Sequence, residues 1–145
     1  MKKLVLTIFV ILIASYEINT HFILPKRNDN FSERNLYHYL REVDIKYPEI
    51  VMAQAKLESG YFNSRLFKEQ NNIFGMQLPK QRQTTAVGAK NGYAVYKSWK
   101  HSVMDYKLWQ NGMIGKIHNH NQYFSYIFRN YAQDTNYVKH LKKIM

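Results

Sequence analysis

Apolar positions fall into runs of different period along this chain, and each period predicts an element. The first run is Leu4 to Ala14, interrupted only by Thr7 and preceded by Lys2 and Lys3. A short cationic start followed by 11 largely apolar positions has the layout of a signal peptide. It falls short of the roughly 20 residues that span a bilayer. Ala14 and Ser15 are small, but no A-x-A pattern marks a cleavage site. Residues 1–22 are therefore expected to form either a cleaved signal peptide or a short amino-terminal anchor, with residues 4–14 as the membrane tether in the second case. Residues 23–30, where Pro25–Asn30 crowds Pro, Lys, Arg, Asn and Asp together, read as a linker. One domain follows, residues 31–145.

Within that domain Ser32 is placed to cap a helix, with Glu33 in its first turn and Leu36, Leu40 and Val43 at i, i+4 and i+7. Pro48 and Glu49 open a second helix that stops at Gly60, a natural carboxyl-terminal cap. It carries Ile50, Val51, Ala53, Ala55 and Leu57, and a helix apolar on most sides is a buried one. Residues 61–72 read as a loop with one helical turn around Ser64–Glu69. Ile73–Met76 and Tyr93–Tyr96 read as two short strands, so residues 73–96 are predicted to form a small β-hairpin with Asn91-Gly92 as a turn signal. Ser98 is placed to cap a long helix with Trp99, Val103, Tyr106, Trp109 and Met113 along one face. Residues 121–130 form another, with Tyr123, Phe124, Ile127 and Phe128. Asp134 is placed to cap the last, whose Tyr137, Val138 and Leu141 face inward.

Composition narrows the function classes. Hydrophobic residues make up 46% of the 145 and aromatics 15%, enough for a real core and too much for a disordered chain. There is no Cys, which excludes a disulfide scaffold, a thiolate zinc site, a Cys nucleophile and a lipoprotein anchor. The net charge is +11, and removing residues 1–22 leaves 19 basic against 9 acidic residues. The basic residues are scattered, and neither a zinc-finger pattern nor an aromatic RNA-binding motif accompanies them, so no nucleic-acid partner is expected. His118 and His120 are two apart, which points them to different sides of a helix, and no His-Glu-x-x-His pattern occurs. No metal or cofactor is expected. A small single domain with no evident partner surface is expected to be a monomer.

Glu58 is the candidate for the chemistry. It ends an apolar helix and shares its face with Val51 and Ala55. Withdrawal from water raises a carboxyl's pKa, and the negative end of the helix dipole acts in the same direction. A carboxyl that stays protonated near neutral pH is the general acid a glycosidase needs for its leaving oxygen. The residues alone leave the plainer reading open: a glutamate that reaches the surface, or pairs with Lys56 or Arg65.

The segment around it resembles a known family. Ala53–Tyr61, Ala-Gln-Ala-Lys-Leu-Glu-Ser-Gly-Tyr, is similar to the helix-end motif of the glucosaminidase domain, glycoside hydrolase family 73, the endo-beta-N-acetylglucosaminidases and flagellar-type peptidoglycan hydrolases. Asn71–Met76 resembles its Asn-Asn-x-Phe-Gly block. Tyr93–Trp99, with Ser102, Val103 and Tyr106, resembles its Tyr-x-Ser-Trp-x-x-Ser block. Tyr131–Tyr137 resembles its closing Tyr-Ala-x-Asp-x-x-Tyr block. Four blocks in order cover nearly all of residues 31–145. The resemblance implies an α+β, mostly α, lysozyme-like fold: an α-helical lobe and a small β-hairpin lobe flanking a glycan cleft. It implies an exported enzyme of the periplasm or cell envelope that cuts the β-1,4 backbone of peptidoglycan, with glycan strands as its partner. Glu58 matches the general acid, and Tyr131 matches a tyrosine lining the cleft opposite it. Asn72 and Phe74 match the cleft floor. Gln54, one turn before Glu58, is a candidate to orient it or the substrate, and Tyr93 and Tyr96 are candidate sugar contacts. For all of these a packing role is the alternative. Asp134 and Tyr137 read as a cap and a packing residue.

One departure matters. Many members carry a second carboxylate in the hairpin as base for the attacking water. Here no Asp or Glu lies between Glu69 and Asp105. Three routes remain: attack by the substrate's own N-acetyl group, a water held by Thr84, Thr85 or backbone, or attack by the 6-hydroxyl of muramic acid as in a lytic transglycosylase. The linkage cut, glucosaminidase or muramidase, is left open, and a non-catalytic wall-binding module is the rival from another class. Lys80, Arg82 and Lys90 give the hairpin tip a basic character suited to anionic wall components.

Overall fold

A computed structural model describes residues 30–112, 114–130 and 136–145. The expected leader, residues 1–22, and nearly all of the linker lie outside them. So do Met113, Tyr131 and Asp134.

Helix α1, Glu33–Glu42, starts where its cap predicts: the Ser32 side chain accepts from Asn35 N at 3.1 Å. Helix α2, Pro48–Glu58, has Pro48 in its first turn and buries Ile50, Val51, Ala53, Gln54 and Ala55. It packs against α1 on one side and the last helix on the other, which is why it is apolar nearly all round. Helix α3, Arg65–Gln70, is longer than the single turn expected, and Ser64 Oγ caps it by accepting from Phe67 N at 3.1 Å. Helix α4, Trp99–Asn111, is followed by a short 3-10 turn, Ile114–Lys116, and by α5, His120–Asn130. Helix α6, Tyr137–Ile144, packs on α2 and α5. Asn136 stands at its N-cap.

The hairpin is smaller than the sequence suggests. Strand β1, Gly88–Lys90, pairs antiparallel with β2, Tyr93–Val95, with Ala89 opposite Ala94. Asn91 and Gly92 both have positive φ, 53° and 82°, as the tight turn requires. Ile73–Met76 is not a strand. The Asn72 side chain accepts from Met76 N at 3.0 Å and donates to Met76 O at 2.8 Å, so that segment curls around an amide instead of extending. A lone bridge between Gln77 and Tyr93 is the pairing it reaches.

One core joins these elements. Leu36, Leu40, Ile50, Phe67, Ile73, Trp99, Tyr106, Tyr123 and Leu141 are all buried in it. Each fully buried aliphatic side chain contributes about 1.5–3 kcal/mol by leaving water. Among the described residues no helix is long and apolar enough to cross a membrane.

Candidate active site

Glu58 is the last residue of α2, and the turn after it is tightly specified. Gly60 N donates to Leu57 O at 3.2 Å and Tyr61 N to Lys56 O at 2.7 Å, the paired bonds of a Schellman cap. Ser59 reinforces it from inside: its hydroxyl donates to Ala55 O at 2.6 Å and accepts from Phe62 N at 2.8 Å. The chain then runs left-handed through Gly60, Tyr61 and Phe62 (φ 55°, 53° and 64°). Only the first is a glycine, so this bend stores strain directly beside the carboxylate.

The carboxyl group itself is half-buried and aimed inward. Tyr137 OH on α6 donates to Glu58 Oε1 at 2.6 Å. Oε2 lies against Gly75, where an added Cβ would stand 3.3 Å from it. Burial pushes the Glu58 carboxyl above the usual carboxylate range, and the Tyr137 hydrogen bond pulls part of the way back. Tyr137 is itself pushed well above an ordinary phenol by burial and by the adjacent carboxylate, so it acts as a neutral donor. Neither alternative pairing occurs. Lys56 turns to Glu33 at 2.8 Å, and Arg65 to Glu69 at 2.5 Å.

The structure treats the other sequence-predicted site residues unequally. Gln54 is wholly buried and meets Tyr137 and Tyr106, so it stands directly behind the carboxyl's hydrogen-bond donor. Asn72 is wholly buried. Its amide donates to Met76 O and to Ala94 O at 2.9 Å and accepts from Met76 N, and it fastens the loop that carries Gly75 to β2. Phe74 is 1% exposed, with its ring centroid 4.4 Å from that of Tyr106, and is a core residue. Tyr96 is buried and donates to Asp105 Oδ2 at 2.6 Å, which leaves it no sugar-facing surface. Tyr93 is 40% exposed and available on the hairpin. Tyr131 lies outside the described residues.

The basic hairpin tip is largely neutralised from within. Arg82 reaches the buried Asp105 with its two terminal nitrogens at 2.6 and 3.3 Å, and Lys90 pairs with Glu69 at 3.1 Å. The Thr85 hydroxyl donates to His101 O at 2.6 Å, and Thr84 Oγ1 accepts from Ala86 N. Tyr137 is the residue that sequence reasoning assigned to packing. Its signal was a hydroxyl on an otherwise apolar helix face, matched by a polar Gln54 inside a buried helix. Buried polar groups need partners, and these two are partners.

A helical body, a two-stranded flap and a desolvated glutamate at a helix end define the lysozyme-like class of glycoside hydrolases. Within that class the chain belongs to the glucosaminidase family. Residues 34–145 match the family model described as mannosyl-glycoprotein endo-beta-N-acetylglucosaminidase. A curated relative, Protein bax of Escherichia coli (strain K12), is 42% identical over 67 residues, which is 46% of this chain and 24% of that protein. The match thus spans about a quarter of the relative's length. Among solved structures, the chain resembles one in a type VI secretion system effector–immunity complex from Pseudomonas protegens. That likeness has a TM-score of 0.59 at 18% identity and covers 77% of this chain and 82% of that one. It also resembles a C-terminally truncated glycoside hydrolase domain of Salmonella typhimurium FlgJ, with a TM-score of 0.53 at 20% identity, covering 77% and 91%. These two likenesses bear on the fold.

Proposed function

We propose that this protein is an endo-beta-N-acetylglucosaminidase that cuts the β-1,4 glycan backbone of peptidoglycan, exported by its amino-terminal segment and working with Glu58 as its single catalytic carboxyl. The observation that carries the reading is the Glu58 environment: a carboxyl raised by burial, held by one phenol, with its second oxygen against a glycine. Such a group holds its proton to higher pH than an exposed carboxyl does, which suits a general acid.

The hairpin supplies no base, so the nucleophile is best supplied by the substrate. The Glu58 proton passes to the glycosidic oxygen as the C1–O bond breaks. The carbonyl oxygen of the substrate's 2-acetamido group bonds to C1 and forms an oxazolinium ring. Water then attacks C1, its proton returns to Glu58, and the ring opens to the acetamido sugar. One carboxyl serves as acid and then as base, and the anomeric configuration is retained. Tyr137 stabilises Glu58 in the interval when it is an anion. Tyr93 is the exposed ring suited to pack on a sugar face, and Tyr131 is carried forward as a cleft tyrosine.

Product analysis tests this. Digests of purified peptidoglycan, reduced and weighed by mass spectrometry, are expected to carry N-acetylglucosamine at the new reducing ends. Proton NMR of the fresh product is expected to show the β anomer first. Anhydromuramic ends would replace this reading by a lytic transglycosylase, and an initial α anomer would exclude the acetamido nucleophile.

A further inference from the structure

Behind Glu58 the interior holds a continuous file of hydrogen-bonding side chains, all at least 95% buried: Tyr137, Gln54, Tyr106, Tyr123 and Gln110. Its far end is anchored on backbone. Lys46 N donates to Gln110 Oε1 at 2.8 Å, and Gln110 Nε2 donates to Lys46 O at 2.9 Å. A backbone N–H can only donate, so this pair fixes which way the Gln110 amide points. Its nitrogen therefore also donates to Tyr123 OH, at 3.0 Å. The file continues through Tyr123 OH and Tyr106 OH at 2.7 Å, Tyr106 OH and Gln54 Oε1 at 2.6 Å, and Gln54 Nε2 and Tyr137 OH at 3.4 Å. It ends at Glu58 Oε1, 2.6 Å from Tyr137 OH.

The near end fixes the direction a second time. Tyr137 uses its one hydrogen on Glu58, so it accepts from the Gln54 nitrogen. The Gln54 oxygen then faces Tyr106, which must donate to it. Tyr106 in turn accepts from Tyr123, and Tyr123 from the Gln110 nitrogen. That is the orientation Lys46 demands. Both ends agree, and every bond in the file runs donor-first toward Glu58.

We propose that Gln54, Tyr106, Tyr123 and Gln110 are positioning residues: their aligned bonds strengthen the Tyr137 donation to Oε1 and so keep the transferable proton of Glu58 on Oε2, beside Gly75. An oxygen already accepting a fixed donor is the poorer site for the proton, and hydrogen bonds in a chain polarise one another by about 10–30% per bond. Among the described residues the titratable group touching Glu58 is Tyr137 from α6. Lys56, on α2 itself, is turned away to Glu33, and the loop contributes Gly75. The inference rests on Glu58 being the general acid.

The test is a carboxyl titration that needs no substrate. The full chain, with 13C-labelled glutamate, is titrated by NMR as wild type, Tyr106→Phe and Tyr123→Phe. Each substitution removes one donor from the file and little volume. The Glu58 midpoint is expected to rise by a few tenths of a pH unit in both, more in Tyr106→Phe, and the basic limb of the pH–activity profile is expected to move with it. Tyr123 lies four bonds from the carboxyl, so its variant carries the test if Tyr106→Phe does not fold. A folded variant with an unmoved or lowered Glu58 midpoint would show that the file is structural only and overturn the proposal. Full activity in Glu58→Gln would instead remove the general-acid reading while leaving the titration interpretable.

Discussion

At the scale of the residue, Glu58 sits between two opposed effects, and their balance has measurable consequences. Burial favours the neutral acid, and Tyr137 favours the anion. Tyr137→Phe removes the second effect, so the carboxyl's pKa rises further. The basic limb of the pH–activity profile is expected to shift to higher pH. Turnover is expected to fall by about 10- to 100-fold, since a hydrogen bond to a charged group is worth about 1.5–3 kcal/mol. Steady-state kinetics across pH checks both. The same burial governs stability. Glu58's folded-state pKa lies above its unfolded one, so the folded protein binds the proton more tightly. The stability linked to that proton is fully present below the unfolded pKa and is lost as pH rises through the folded one. Glu58→Gln is therefore expected to be the more stable protein in denaturant titrations at neutral pH, with the gain shrinking on acidification. A gain that grew on acidification would contradict the buried-acid description.

At the scale of the element, the site is made by two backbone turns, and they differ in how legible they were. The end of α2 was readable: an apolar helix, Gly60 as stop, and a carboxyl on the last turn appear in the sequence and in the structure alike. The 71–77 loop was not. Ile73–Met76 has the composition of a strand, and nothing in its period reveals that the Asn72 amide will take both backbone groups of Met76. Phe74 and Tyr96 match family blocks, but a block marks a position without telling whether its side chain faces the cleft or the core. The Tyr137 contact joins residues 79 apart in sequence, beyond the reach of any local pattern. Gly75 is where this loop meets the Glu58 carboxyl, with φ at 64° and any added Cβ in tight contact, 3.3 Å, with Oε2. Gly75→Ala is expected to cost about 1–2 kcal/mol of stability from the left-handed backbone. Its activity loss is expected to be larger than that instability explains. Comparing kcat with the chemical denaturation midpoint separates the two.

At the scale of the molecule, the flap is pinned to the helical body by charge pairs and not by apolar packing alone. Asp105 on α4 holds Arg82 and Tyr96 together, and Glu69 on α3 holds Lys90. Asp105→Ala leaves a partly buried guanidinium and a buried phenol without their acceptor. It is expected to destabilise the fold by about 2–4 kcal/mol, less than for a fully buried pair because Arg82 keeps some solvent. Amide exchange should quicken first across residues 77–90; uniform protection there would show that the pair does not hold the flap. We propose, across all three scales, that a helix-end carboxyl whose pKa is raised by burial cleaves a glycan without a second acid from the flap. The most direct measurement is the release of soluble fragments from purified peptidoglycan by the wild-type protein beside Glu58→Gln, with circular dichroism to show both folded. The wild type is expected to release fragments, and the variant to do so at least about 100-fold more slowly. Equal release by the two proteins, or none by the wild type, would contradict the claim.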